Sequence, residues 1–267
     1  MRKFRKSLAI IMLMSAMMIL SACSVGGNED FEYMKQRNIM QVTIQSTRDK
    51  KYKFSVTDTN LINDIYEILS SSTVVETKSE LEPDYILEIY ESPTEVKTFN
   101  YVAGLDKTDG ANLYDGDSYY IVSKRLDTDI IRNFTNIRKP IDFESVYYNS
   151  IINCLSQYKD DTKTKQKIGV DIINDIEISR FQISTDIENF KKLLKKEEIS
   201  YINSEEDNPD AEVIAKVRTK GFTSKKYKAV VTFENKTDGT SVEYYIYCIY
   251  SDGQWSIKAT DTKPEEF

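Results

Sequence analysis

The chain has 267 residues, 36 of them Lys or Arg and 43 Asp or Glu, for a formal net charge of −7. Such an acidic surface repels nucleic acid and anionic lipid headgroups, so neither a nucleic-acid partner nor a basic membrane-lying face is expected. The complete lack of histidine removes Ser-His-Asp and Cys-His catalysis and histidine-ligated metal sites from consideration.

The first element is an export signal. Arg2, Lys3, Arg5 and Lys6 stand in a stretch without acids, and residues 8–20 are apolar apart from Ser15. That run is too short for a spanning helix, which needs about 20 residues. Small residues then precede a cysteine in Leu20-Ser21-Ala22-Cys23, and this stretch resembles the lipobox of bacterial lipoproteins. The resemblance implies that residues 1–22 are removed as a signal peptide, with Leu20, Ser21 and Ala22 read by the peptidase. It also implies that Cys23 carries a thioether-linked diacylglyceryl group, the only non-protein group expected. Two acyl chains suffice for stable attachment at about 0.8 kcal/mol per buried methylene. The expected location is therefore the outer face of the cell membrane, lipid-anchored. Loss of four basic residues with the signal takes the net charge to about −11. Residues 23–38, which include Gly26 and Gly27 among polar side chains, read as a flexible tether.

Residues 39–139 read as a first α+β domain. Alternation over residues 39–45, with Met40, Val42 and Ile44 on one side, and over residues 52–56 gives a hairpin. Thr57 or Asp58 caps a helix through Leu61, Ile62, Ile65, Ile68 and Leu69, which the serines at 70–72 stop. Strands are expected at 85–90, 95–102 and 118–122, then a helix with Leu126, Ile130, Phe134 and Ile137 on one face. The hairpin, the helix, Pro83-Asp84-Tyr85-Ile86-Leu87 and Tyr119-Tyr120-Ile121-Val122 resemble a small uncharacterised domain of Gram-positive lipoproteins. No activity comes with that resemblance.

Arg138-Lys139-Pro140 marks a boundary, and residues 140–267 read as a second α+β domain. Phe143, Val146, Tyr147, Ile151, Cys154, Leu155 and Tyr158 trace a helical stripe. Residues 172–183 read as a strand, and Thr185-Asp186-Ile187-Glu188 as a capping box opening a helix through Phe190, Leu193 and Leu194. After an acidic loop at 204–210, strands at 211–219, 227–234, 241–250 and 254–259 follow, the last three joined by Asp238-Gly239 and Asp252-Gly253 turns. The fold class is thus α+β, with two small domains, each a mainly antiparallel sheet packed with one or two helices. The helix-led meander, closed by residues 252–258 around Trp255, resembles the NTF2-like and cystatin-like folds.

For chemistry the sequence offers little. Cys154 and Cys248 read as two buried small apolar residues or a pair oxidised after export. The one Ser-x-x-Lys, Ser156 to Lys159, lacks the partner motifs of penicillin-binding enzymes. Asp106, Asp109, Asp115 and Asp117 form a candidate calcium loop, but without the EF-hand pattern, and solvated turn acids are the plainer reading. In the strand at 241–250, Tyr244, Ile246, Cys248 and Tyr250 share one face and Tyr245, Tyr247 and Ile249 the other. One face is core. The other lines a pocket or packs on the first domain, which makes Tyr245, Tyr247 and Trp255 the candidate ligand surface. The expected function is a non-catalytic, lipid-anchored binding, sensing or accessory protein of the cell envelope, with an envelope protein or small ligand as partner. The alternatives are a carboxylate-dependent, calcium-assisted envelope hydrolase and a structural or inhibitory interaction module.

Overall fold

A computed structural model describes residues 28–105, 107, 109–135, 139–204 and 210–267. The signal peptide with Leu20, Ser21 and Ala22, the lipidation residue Cys23, Asp106, Ile137, Arg138 and acidic-loop residues 205–209 lie outside the described residues. The fold is α+β, built on two sheets with separate cores. Among the described residues no helix is long and apolar enough to cross a membrane.

The first sheet contains β1 (Gln41–Ser46), β2 (Lys53–Val56), β3 (Thr73–Val75), β4 (Tyr85–Tyr90), β5 (Val96–Tyr101), β6 (Leu113–Tyr114) and β7 (Tyr119–Ile121). Their order is β2-β1-β4-β5-β6-β7-β3, with every pairing antiparallel. Val42 and Ile44 stand opposite Ile89 and Leu87, and all four are buried. Each such side chain contributes about 1.5–3 kcal/mol when removed from water. Met40, placed on the same side by alternation, precedes the strand and stays 53% exposed. Helix α1 (Thr59–Ser70) is capped by Asp58, whose carboxylate accepts the Asn60 and Leu61 N–H groups at 3.0 Å. It buries Ile62, Ile65, Ile68 and Leu69 in the same core.

Two features of this domain differ from expectation. Residues 28–36, read as tether, are folded: Phe31 is fully buried against Phe99 and Tyr120 at ring distances of 5.6 and 5.0 Å. The amide of Asn28 also donates to the Ser70 carbonyl at the end of α1. Phe31 and Met34 are isolated apolar residues in a polar stretch, so periodicity could not find them. The helix at 126–135 opens as a π-helical turn, Leu126–Ile131, before α-helical Arg132–Thr135. Turns of this type recur at functional positions.

The second sheet holds β8 (Ile168–Asp171), β9 (Ser200–Tyr201), β10 (Val213–Thr223), β11 (Lys226–Asn235), β12 (Ser241–Ser251) and β13 (Gln254–Thr260). Its order is β13-β12-β11-β10-β8-β9, antiparallel except where β8 runs parallel to both β10 and β9. Helix α2 (Phe143–Thr162) buries the stripe from Phe143 to Tyr158 against the meander. Asp252 and Gly253 both have positive φ, 52° and 81°, in the two-residue turn that matches strand twist in a hairpin.

Residues 172–183, read as a strand, are turns with one short helical turn, Ser179–Phe181. Their shape follows from Asp175. Its buried carboxylate accepts the Thr219 amide and hydroxyl, each at 2.8 Å, and the Tyr147 hydroxyl at 3.1 Å. The expected capping box is also absent. Helix α3 (Ser184–Lys196) begins two residues earlier, with Ile183 in place of Thr185 at the cap position and no side-chain cap. Thr185 instead donates to the Ala103 carbonyl of the first domain at 3.3 Å.

Candidate functional site

The two domains meet where β4 begins. Asp84, 1% exposed, accepts the Ala103 amide at 2.8 Å and the Ser184 amide at 2.7 Å, and pairs with the guanidinium of Arg48. Arg48 stands in the β1–β2 turn and reaches on to the Ser184 hydroxyl at 2.6 Å and the Gln182 carbonyl at 3.3 Å. Ser184 closes the network by donating to the Glu82 carbonyl at 2.7 Å. Burial pushes the Asp84 carboxyl above its usual range, against the pull of Arg48 and the amides. Ile183 packs into the first core. Gly104, at φ +70°, lets the chain pass so closely that a β-carbon there would lie 2.9 Å from the Thr185 hydroxyl. The first turn of α3 is thereby fixed to the first domain by a desolvated ion pair, an arrangement costly to half-remove.

Two openings flank this lock. One is a polar cleft of about 1430 Å³ with Lys78, Glu82, Asp109, Lys192 and Asn203 among its walls. The other, of about 540 Å³, is bounded by the π-helical turn, the interdomain linker and the start of α3. Its walls include Ile131, Phe143 and Phe181, and its ionisable groups include Asp127, Lys139 and Asp186. Its volume is that of small-molecule sites, and its lining is mixed, with charged side chains of both signs, Arg132 and Glu144 among them, beside the three apolar ones.

The electrostatics of the smaller pocket are perturbed. Burial pushes the Asp127 carboxyl up to about 6, although it accepts the Gly104 amide at 2.8 Å. Burial, with help from Glu144, pushes Asp186 up to about 7. Burial lowers Lys139, against the opposing pull of Asp186. The Lys139 ammonium lies over the rings of Phe143 and Phe181, 5.3 and 5.8 Å from their centroids. Perturbed groups gathered in one cleft are a physical mark of functional sites.

The sequence candidates lie elsewhere and do not come together. Asp115 accepts the Asp117 and Ser118 amides at 2.9 and 2.8 Å, closing a turn, while Asp109 lines the larger cleft. No group of three or more acidic or cysteine side chains with metal-holding geometry occurs among the described residues. Tyr245 and Tyr247 are in the walls of neither opening. They lie on the sheet face away from α2, where Phe267 packs edge-on against Tyr245 at 5.1 Å. Trp255 is paired with Tyr250 on the opposite face and donates to the Ile141 carbonyl at 2.8 Å. Cys154 and Cys248 are separate buried thiols in the second core. Sequence reasoning passed over Arg48, Asp84, Asp127, Lys139 and Asp186. The one available signal was Asp84, an acid abutting the apolar run Tyr85-Ile86-Leu87.

No curated protein matches the chain, and no solved structure does. Residues 35–140, the first sheet with its helices, match the family model described as YhfM protein.

Proposed function

We propose that this chain is a lipoprotein anchored through Cys23 to the outer face of the cell membrane, and that it binds a ligand or partner at the seam between its domains without transforming it. The anchoring half rests on the lipobox-like Leu20-Ser21-Ala22-Cys23 behind a short apolar run. The binding half rests on one observation: both openings take walls from both domains and are held in register by the Arg48–Asp84–Ser184 lock. Sites on rigidly joined elements lose little entropy on binding.

The test is photocrosslinking on intact cells, with Asn189 of the larger cleft replaced by a photoreactive amino acid and Thr237 on the distant β11–β12 turn as control. Recurrent capture of one molecule from position 189 but not from 237 supports the reading. Equal capture from both positions, or none from either, overturns it. Anchoring is checked in the same cells by palmitate labelling, which Cys23→Ala abolishes.

A second reading, a carboxylate-dependent hydrolase, is favoured by the shared pocket of Asp127 and Asp186, whose carboxyls burial brings near neutrality. Two acids poised in that range suit general acid–base work. Turnover of an envelope polymer that survives in the wild type and disappears in both Asp127→Asn and Asp186→Asn is the result that would favour it.

A further inference from the structure

We infer that the smaller interdomain pocket is built for a small zwitterion with an apolar body, of the amino-acid or short-peptide class: Asp186 receives the ammonium, Lys139 the carboxylate, and Phe143, Phe181 and Ile131 the body. This deepens the binding reading above and rests on it.

The argument starts from what the two charges lack. Among the described residues, the Lys139 ammonium has aromatic rings beneath it but no hydrogen-bond acceptor or carboxylate in bonding range. The Asp186 carboxylate likewise has no hydrogen-bond donor or ion-pair partner. The two feel each other's charge and face the same pocket, yet they do not pair. Both are half-buried rather than sealed from water, and a seam selected for stability alone would still close this gap, because a partly desolvated charge gains from a direct partner. The Arg48–Asp84 pair, on the same seam, shows the closed alternative.

Held apart, an acid and a base present complementary ends to one bound dipolar molecule. Asp186 stands in the first turn of α3, where the helix dipole supports its negative form. The rings under Lys139 support its positive form, as cation–π contacts do. Arg132, whose charge acts on both Lys139 and Asp186, also lines the pocket, as does Arg180, which stacks on Phe181 at 4.9 Å. Ile131, Phe143 and Phe181 in the same lining offer a hydrocarbon side chain an apolar contact between the charged ends. A free phosphate or metal ion would satisfy one end only.

The experiment compares three probes with one body: phenylalanine, phenethylamine, which lacks the carboxylate, and 3-phenylpropionate, which lacks the ammonium. Binding to the mature chain in detergent is read by calorimetry at pH 7.5. The expected result is phenylalanine bound at least tenfold tighter than either analogue. Lys139→Met should abolish the preference over phenethylamine, and Asp186→Asn the preference over 3-phenylpropionate. Near-native unfolding midpoints establish that both variants fold. Equal binding of all three probes, tighter binding of an analogue, or no binding of any overturns the inference. If no probe binds while position 189 still captures a partner on cells, the zwitterion assignment fails and the broader binding reading stands. If both experiments fail, both are wrong.

Discussion

Asp84 and Asp175 are equally buried, each 1% exposed, and the protein answers the two charges differently. Asp84 receives a guanidinium and two amides contributed by separate stretches of chain, across both domains. Asp175 receives an amide and two hydroxyls from within the second domain, with Arg218 acting only from a distance. Inside a core, neutral donors fixed by the fold suffice to hold a carboxylate. Across a seam, where the donors must be brought together by docking, a full countercharge is recruited. The seam therefore depends on electrostatics to a degree that the second core does not.

The largest test of this contrast is Arg48→Met, which strands the Asp84 carboxylate. It should cost about 3–5 kcal/mol at pH 7.5 in urea unfolding, and progressively less as the pH is lowered, because burial already holds the Asp84 carboxyl above its usual range and loss of the guanidinium favours its neutral form further. Asp175→Ala should cost about 3 kcal/mol, since the Thr219 amide and Tyr147 hydroxyl are left unsatisfied. That loss should fall on unfolding of the second domain and leave the first domain's amide-exchange protection unchanged. Asp127→Asn should act in the opposite direction. With its folded value raised to about 6, the wild-type carboxyl keeps a proton that the unfolded chain has released. Its contribution is therefore complete below about pH 4 and is lost as pH rises through 6. The variant should be about 2 kcal/mol more stable than wild type at pH 8 and no better at pH 4, as thermal unfolding across that range would report. The smallest change is Ser184→Ala, which removes one link from Arg48 and one to Glu82. It should cost about 1 kcal/mol, seen as earlier exchange of amides at the start of α3.

The elements with period were legible in the sequence. Helix α2 buries its expected stripe, and β4, β10, β11, β12 and β13 form within a few residues of their expected ends, because alternation and 3.6-residue spacing record one-sided burial directly. What failed was decided by single polar residues with distant partners. Asp175 turned an apolar segment into turns, Thr185 bonded the other domain instead of capping its own helix, and Phe31 found its cavity through tertiary packing alone. The very short β3, β6 and β9 exist only through their neighbours. The candidate site was illegible for the same reason. Asp127, Lys139 and Asp186 come from a turn, a linker and a helix start, and none is unusual in its local sequence. The tyrosines that drew notice on β12 owe their exposure to the outer face of a sheet whose other side is already filled.

The burial of Phe31 has a bearing on how the protein would meet its surroundings. The folded body begins by Asn28, so only the chain from Cys23 to Asn28 separates it from a lipidated cysteine. Even fully extended, that leash reaches about 18 Å at 3.3–3.6 Å per residue. Under the proposed anchoring, the first domain would ride close above the headgroups and sample a narrow cone of tilts. Encounters with other membrane-held molecules would then become a two-dimensional search at a nearly fixed height. Lengthening the segment before Asn28 would lower the efficiency of those encounters without altering a single contact in the fold.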